Sequence, residues 1–265
     1  MTGLEYHLPR TQAEWLASAN PYAMLHFLAL PQKHRKKRVS DRKLSLSAVA
    51  FVRRVFHLLP DERPQEALRV AEQYADGAAS DVDLKRLGRD LWEAFWEGLE
   101  EPTRTWAGVG PFQGLGTLAE REYGKPQPGR LATVAAALAA ACAAGTSRTC
   151  ASGTLEWVAE AMTWELLQKQ SQAALDDELH ASVWRELAHL VRHIVPNPFR
   201  PHQRRACWPS AVTQLAAALY HGHDCGFALH DALLEAGDAE LAEHFRKEVW
   251  HPKGCWVIDL ILRRK

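Results

Sequence analysis

Apolar residues recur three and four apart through most of this chain, and that spacing restricts it to helices. Leu84, Leu87, Leu91, Trp92, Phe95 and Leu99 are the clearest series. On a 3.6-residue repeat they form one stripe, whereas a strand would scatter them over both faces. Leu44, Ala48, Phe51, Val52, Val55 and Leu59 make a second stripe, with Arg53, Arg54 and His57 off it. Ala67, Val70, Ala71 and Tyr74 make a third. Helix-start residues stand where these series begin. Thr11 with Glu14 has capping-box spacing, and Ser40, Ser80 and Asp238 are N-cap types. Gly77 and Gly145 are placed to stop helices. Alternating strand patterns are scarce. The expectation is an all-α fold, a compact array of about nine or ten helices, possibly in two lobes.

Residues 101–130 interrupt the pattern with six glycines and four prolines. They predict an irregular connection, with one short helix near Thr117–Tyr123. The expected domains are therefore an N-terminal helical lobe (1–100), this connection (101–130) and a C-terminal helical lobe (131–265). Within the last, Leu131–Ala144 reads as an Ala-rich helix. A helical region runs from Thr154 to Val195 with a break near Ser171–Asp176, and short helices follow near 210–220, 227–236 and 239–247. Pro196-Asn197-Pro198-Phe199-Arg200-Pro201 cannot continue a helix and reads as an extended, stiff connector. The final apolar block, Gly254 to Leu262, would be costly in water and is expected to close a hydrophobic core.

Charge excludes a globally basic or acidic binder, because Lys plus Arg and Asp plus Glu are 32 each. The five cysteines include no C-x-x-C pair, which points to a reducing, cytoplasmic setting rather than a disulfide framework. Met1–Arg10 lacks the apolar core of a signal peptide, and no run of about 18 apolar residues predicts a membrane span. The glycines of 101–130 lack a preceding strand and a Gly-Lys-Ser/Thr ending, so they do not read as a phosphate loop. No Ser-His-Asp order or metalloprotease motif stands out.

Five groups of residues could carry function. A basic run, Lys33, Arg35, Lys36, Lys37 and Arg38 with Arg42 and Lys43, could neutralise phosphates and give salt-sensitive nucleic-acid binding. Phe199, Arg200, His202, Arg204 and Arg205 could add a basic-aromatic patch suited to single strands. His221, His223 and Cys225 are nitrogen and sulfur donors of the kind zinc takes, with Cys207, His230, His251 and Cys255 elsewhere in the same lobe. Glu186, His189 and His193 share one edge of a helix. Trp96 and Trp164, among ten tryptophans, lie off the main stripes and could anchor a protein partner.

Two sets of strings resemble an uncharacterised helical protein family found in many copies in planctomycete-type bacteria. The first holds Glu14-Trp15-Leu16, Met24-Leu25, Ser40 to Leu44, Arg53-Arg54, His57 to Leu59, Asp61 to Arg63, Ala71-Glu72 and Tyr74 to Gly77. The second holds Asn197 to Pro201, Ala232-Leu233, Ala236-Gly237, His251, Gly254 to Val257 and Asp259-Leu260. They cover about half of the chain and leave out 85–185, the basic run and the His221/His223/Cys225 group. The resemblance implies fold and class but no activity.

The leading expectation is a non-enzymatic helical module, an adaptor or accessory protein, that holds a protein partner through Trp96 and Trp164. It needs no cofactor and no membrane. One alternative is a nucleic-acid-binding accessory protein using 33–43. Another is a metal-dependent enzyme using the His/Glu/Cys clusters.

Overall fold

Ser40 starts its helix as its side chain dictates: the hydroxyl accepts from the Lys43 amide at 3.4 Å. Ser80 does the same for the Asp83 amide, at 3.1 Å, and Asp238 for Leu241, at 3.2 Å. Thr11 accepts from the Glu14 amide, while Glu14 reaches back to the amide of Arg10 rather than Thr11. The computed structural model describes residues 7–29, 39–59, 62–97, 143, 150–170, 177–203 and 205–264. Among them are eleven α-helices and no strand, so the chain is all-α. The helices are α1 (Gln12–Ala17), α2 (Pro21–Ala29), α3 (Asp41–Arg54), α4 (Arg63–Ala75), α5 (Asp81–Glu97), α6 (Cys150–Gln170), α7 (Asp177–Ile194), α8 (Ser210–Tyr220), α9 (Gly226–Glu235), α10 (Ala239–Lys247) and α11 (Trp256–Ile261). None is long and apolar enough to cross a membrane. The expected helices at 117–123 and 131–144, and the connection 101–130, lie outside the described residues except for Ala143.

The division into units differs from the expected one. One unit holds Met1–Pro9 with Ala17–Val191, and the other holds Arg10–Leu16 with Arg192–Lys265. The boundary is inside α7 rather than at 101–130. The reason is packing: α6, beyond the Gly/Pro-rich stretch, lies against α2 and α3. The first unit has its core on α3, where Leu44, Leu46, Ala48, Val49, Phe51 and Val52 are buried. That helix ends at Arg54, earlier than its stripe suggested, and a 3-10 turn follows at Phe56–Leu58. Leu155, Val158, Leu179, Val183 and Leu187 supply buried residues from α6 and α7.

In the second unit α9 packs on α8 and α10, and α11 packs on α8. Val212, Ala216, Tyr220, Leu229, Leu233, Leu241, Phe245, Cys255, Val257, Ile258 and Ile261 form its core. The apolar block at 254–262 thus closes a core as expected. The Arg264 guanidinium covers the Tyr220 ring at 4.0 Å, and Arg263 donates to the Ala206 carbonyl. The Pro-rich connector is not fully extended. Asn197 accepts from the Phe199 amide at 2.9 Å, and its carbonyl accepts from Arg200, making a turn at Pro198–Phe199.

Candidate functional site

Four side chains from separate stretches of the second unit meet at one point. His193 lies in the last turn of α7, His244 on α10, His251 on the loop after it, and Cys255 immediately before α11. One ligand atom from each lies within 4.8 Å of all the others. Cys255 Sγ is 3.2 Å from His244 Nε2 and 3.9 Å from His251 Nδ1. The His193 ring centroid is 4.7 Å from that of His244 and 5.3 Å from that of His251.

Local sequence explains the convergence. The Cys255 amide donates to the Pro252 carbonyl at 3.0 Å, closing a four-residue turn. Gly254, third in that turn, has φ of 89°, which side chains other than hydrogen disfavour. The turn delivers Cys255 into the core, where it has no exposed surface. His244 follows Leu241 at i+3 on α10, at the edge of its buried face. Gly226, at the start of α9, lies beside the His251 imidazole, where even a Cβ would make only an ordinary 3.7 Å contact.

Electrostatics bind the group together. Burial alone would push the Cys255 thiol up, but positive charge on His244 and His193 outweighs it and holds the thiol well below its ordinary value. Burial alone would pull His193 down, and the negative charges of Cys255 and Glu248 instead raise it to about 9. The two titrate as a pair, a thiolate stabilised by an imidazolium. Glu248 Oε2 lies 3.5 Å from His193 Nδ1. The remaining nitrogen, His193 Nε2, is buried with no hydrogen-bond partner, and so is His251 Nε2. As placed, the thiolate meets imidazoles rather than a cleft.

The expected sites fare differently. His221 and His223 are exposed, and Cys225 Sγ faces the Leu215 carbonyl at 3.3 Å, so the structure does not join them in this cluster. Lys33, Arg35, Lys36, Lys37 and Arg38 lie outside the described residues. Arg42 and Lys43 depart from the nucleic-acid reading: Arg42 pairs with Asp76 at 3.1 Å, and Lys43 is buried on α3. Three members of the basic-aromatic patch also have internal partners, while Arg204 lies outside the described residues. Arg200 meets Glu240 at 3.5 Å, His202 stacks on Trp256 at 4.5 Å, and Arg205 donates to the Ala236 carbonyl at 2.8 Å. Glu186 pairs with Arg54 and His189 is exposed, so of that helix edge only His193 joins the cluster. A cleft in the first unit is lined by Arg53, Arg54, His57 and Lys169, but each already meets a carboxylate, of Glu72, Glu186, Glu165 and Glu165 respectively. Trp96 and Trp164 fall on α5 and α6, and their side chains lie outside the described residues.

Sequence reasoning named His251 and Cys255 beside the His221 group and His193 with Glu186 and His189, and it missed His244. The legible signal was His244-x6-His251-x3-Cys255, three zinc-type donors within one turn of chain reversal. No family model matches this chain, and no curated protein or solved structure matches it either.

Proposed function

We propose that this protein is a non-enzymatic helical adaptor that holds a protein partner. The observation that carries the reading is the solvent face of α9. Phe227 is 78% exposed and Leu234 46% exposed, seven residues apart and therefore on one side of the helix. Ala228, Asp231 and Glu235 are exposed beside them. Two apolar anchors flanked by carboxylates suit an amphipathic helix with an apolar stripe and basic neighbours. The inward orientation of the most reactive thiol agrees with a binding role, since Cys255 has no surface from which to meet a substrate. This reading moves the anchors from Trp96 and Trp164 to Phe227 and Leu234. Of the basic run, Arg42 and Lys43 already have structural employment, so the nucleic-acid alternative would rest on Lys33, Arg35, Lys36, Lys37 and Arg38.

The test compares the wild-type chain with a Phe227→Ser/Leu234→Ser double variant and with Val82→Ser, an exposed apolar control on α5. Each is used for nuclease-treated affinity capture, and retained proteins are cross-linked to locate the contact. The expected result is a helical partner segment cross-linked near α9, with affinity lowered at least about tenfold in the double variant and unchanged in the control. Capture that is indifferent to the double variant, or that vanishes with nuclease, overturns the reading.

A further inference from the structure

We propose that His193, His244, His251 and Cys255 bind one divalent zinc-class cation, as a closed structural site that ties the end of α7 to α10 and to the start of α11. This inference is independent of the partner-binding reading.

The geometry is that of a tetrahedral site slightly opened. Zinc with nitrogen ligands at about 2.0–2.1 Å and a thiolate at about 2.3 Å places neighbouring donor atoms roughly 3.3–3.6 Å apart. The Cys255 contacts to His244 and His251, 3.2 and 3.9 Å, bracket that range. The widest separation in the group, within 4.8 Å, closes with rotamer-scale movement. Four donors from one side chain each complete the coordination shell, which is the structural rather than the catalytic arrangement.

A second observation points to the same ligand. His193 has one nitrogen at a carboxylate, Glu248, and the other buried and unpartnered. A metal-bound histidine has this arrangement, because the carboxylate fixes the ring and leaves the far lone pair for the cation. A buried ring nitrogen without a partner is costly, and a cation that displaces its proton removes the cost. Three imidazoles lie with centroids 4.7, 5.3 and 5.3 Å apart around one sulfur, each with a ligand atom within 4.8 Å of the others. Protons can relieve only part of that crowding, since each added imidazolium repels the next. One divalent ion satisfies all four donors together.

The donor set also selects the metal class. Three imidazoles and a thiolate are borderline to soft, which favours zinc and disfavours magnesium and calcium, whose ligands are oxygens. Glu248 acts as a positioning residue through His193 and is not a ligand. The competing account is a metal-free thiolate–imidazolium network, and the experiment separates the two.

The full chain, purified without a histidine tag and without chelators, is assayed for metals by elemental analysis. It is then stripped and reloaded with cobalt as a spectroscopic probe. The expected result is about one zinc per chain, and in the cobalt form a thiolate-to-cobalt charge-transfer band with intense tetrahedral d–d bands. Cys255→Ser removes the charge-transfer band or the metal. A His221→Ala/His223→Ala/Cys225→Ala triple variant keeps both. Glu248→Gln retains the ligands yet weakens zinc about 10–100-fold in chelator competition. Because Cys255→Ser could fail to fold, the wild-type cobalt spectrum and Glu248→Gln carry the test without it. A chain that takes up no zinc or cobalt and whose melting temperature ignores both overturns the proposal. So does cobalt bound without a thiolate band, or a stoichiometric iron or copper in place of zinc.

Discussion

The two units solve the same problem by different means. In the first, α3, α5, α6 and α7 run for 14 to 21 residues, and α3 packs along α6 with buried apolar side chains on both. Ion pairs such as Arg53 with Glu72 and Arg42 with Asp76 sit at the edges of that core. In the second unit, the helices beyond residue 209 have 11, 10, 9 and 6 residues. Helices this short are marginal alone and depend on tertiary contacts. A domain of about 80 residues also buries a modest core, and such domains commonly need a staple. The His/Cys cluster occupies the place where a staple does most, joining chain segments some 50 residues apart in sequence with two that are close. Unit one is held by area, and unit two by area plus a cross-link.

The largest effect that sharpens this contrast is loss of the cross-link. Removing the metal with a strong chelator, or changing Cys255 to Ser, is expected to unfold the second unit selectively. Structural metal sites supply on the order of 10 kcal/mol of apparent binding free energy, so the loss exceeds the stability of a small domain. Hydrogen exchange followed by mass spectrometry reads it directly. Amides of 210–262 lose protection while those of α3 and α6 keep theirs. Equal loss in both units would dissolve the distinction.

The mirror experiment strikes area instead. Phe51 is fully buried in α3, and Phe51→Ala removes a large side chain from a packed core. A cost of about 3–5 kcal/mol is expected, confined to the first unit. Denaturant unfolding should show that transition shifted, with metal content per chain unchanged. If metal content falls with it, the units are coupled more tightly than their separate cores suggest.

Below these comes Gly254. Its φ of 89° places Cys255 after a tight turn. Gly254→Ala leaves every ligand in place but strains the turn by about 1–2 kcal/mol. The expected signature is a weaker zinc affinity with an unaltered cobalt spectrum, because the cluster re-forms at a cost. A changed spectrum would mean that the turn fixes ligand geometry as well as stability.

Legibility in the sequence follows the same contrast. Helices were readable because period and caps are local: Ser40, Ser80 and Asp238 act within three residues of themselves. The short helices at 210–220, 226–235 and 239–247 came through nearly to the residue for that reason. The unit boundary was not readable, because a Gly/Pro-rich stretch shows where regular structure stops and not where the next helix packs. The cluster was half readable. His251 and Cys255 are four apart, but His193 joins them only through the path of the chain beyond Pro196. His221, His223 and Cys225 looked better in sequence because proximity along the chain is visible and convergence in space is not. Arg42 misled similarly: a basic run precedes it and Lys43 follows it in sequence, while its partner, Asp76, caps the end of α4.

The smallest effect concerns pH, and it belongs to the first unit. Glu156 lies on α6, and burial raises its carboxyl from 4.5 to about 7. No partner is among the causes, so the charged form is simply less welcome in the folded chain. The sign follows from proton binding. Between pH 4.5 and about 7 the folded state keeps a proton that the unfolded state releases. The first unit is therefore most stable below that window and loses stability as pH rises through it. Glu156→Gln removes the ionisation while keeping the shape. It should leave stability unchanged at about pH 4 and raise it at about pH 8. Because the side chain is only partly buried, solvent screening limits the gain to on the order of 1 kcal/mol. Denaturant curves followed through α6 protection at the two pH values measure it. A variant that is equally stabilised at both would show that Glu156 is penalised by packing rather than by charge. The first unit would then have no ionisable weak point to set against the cross-linked second.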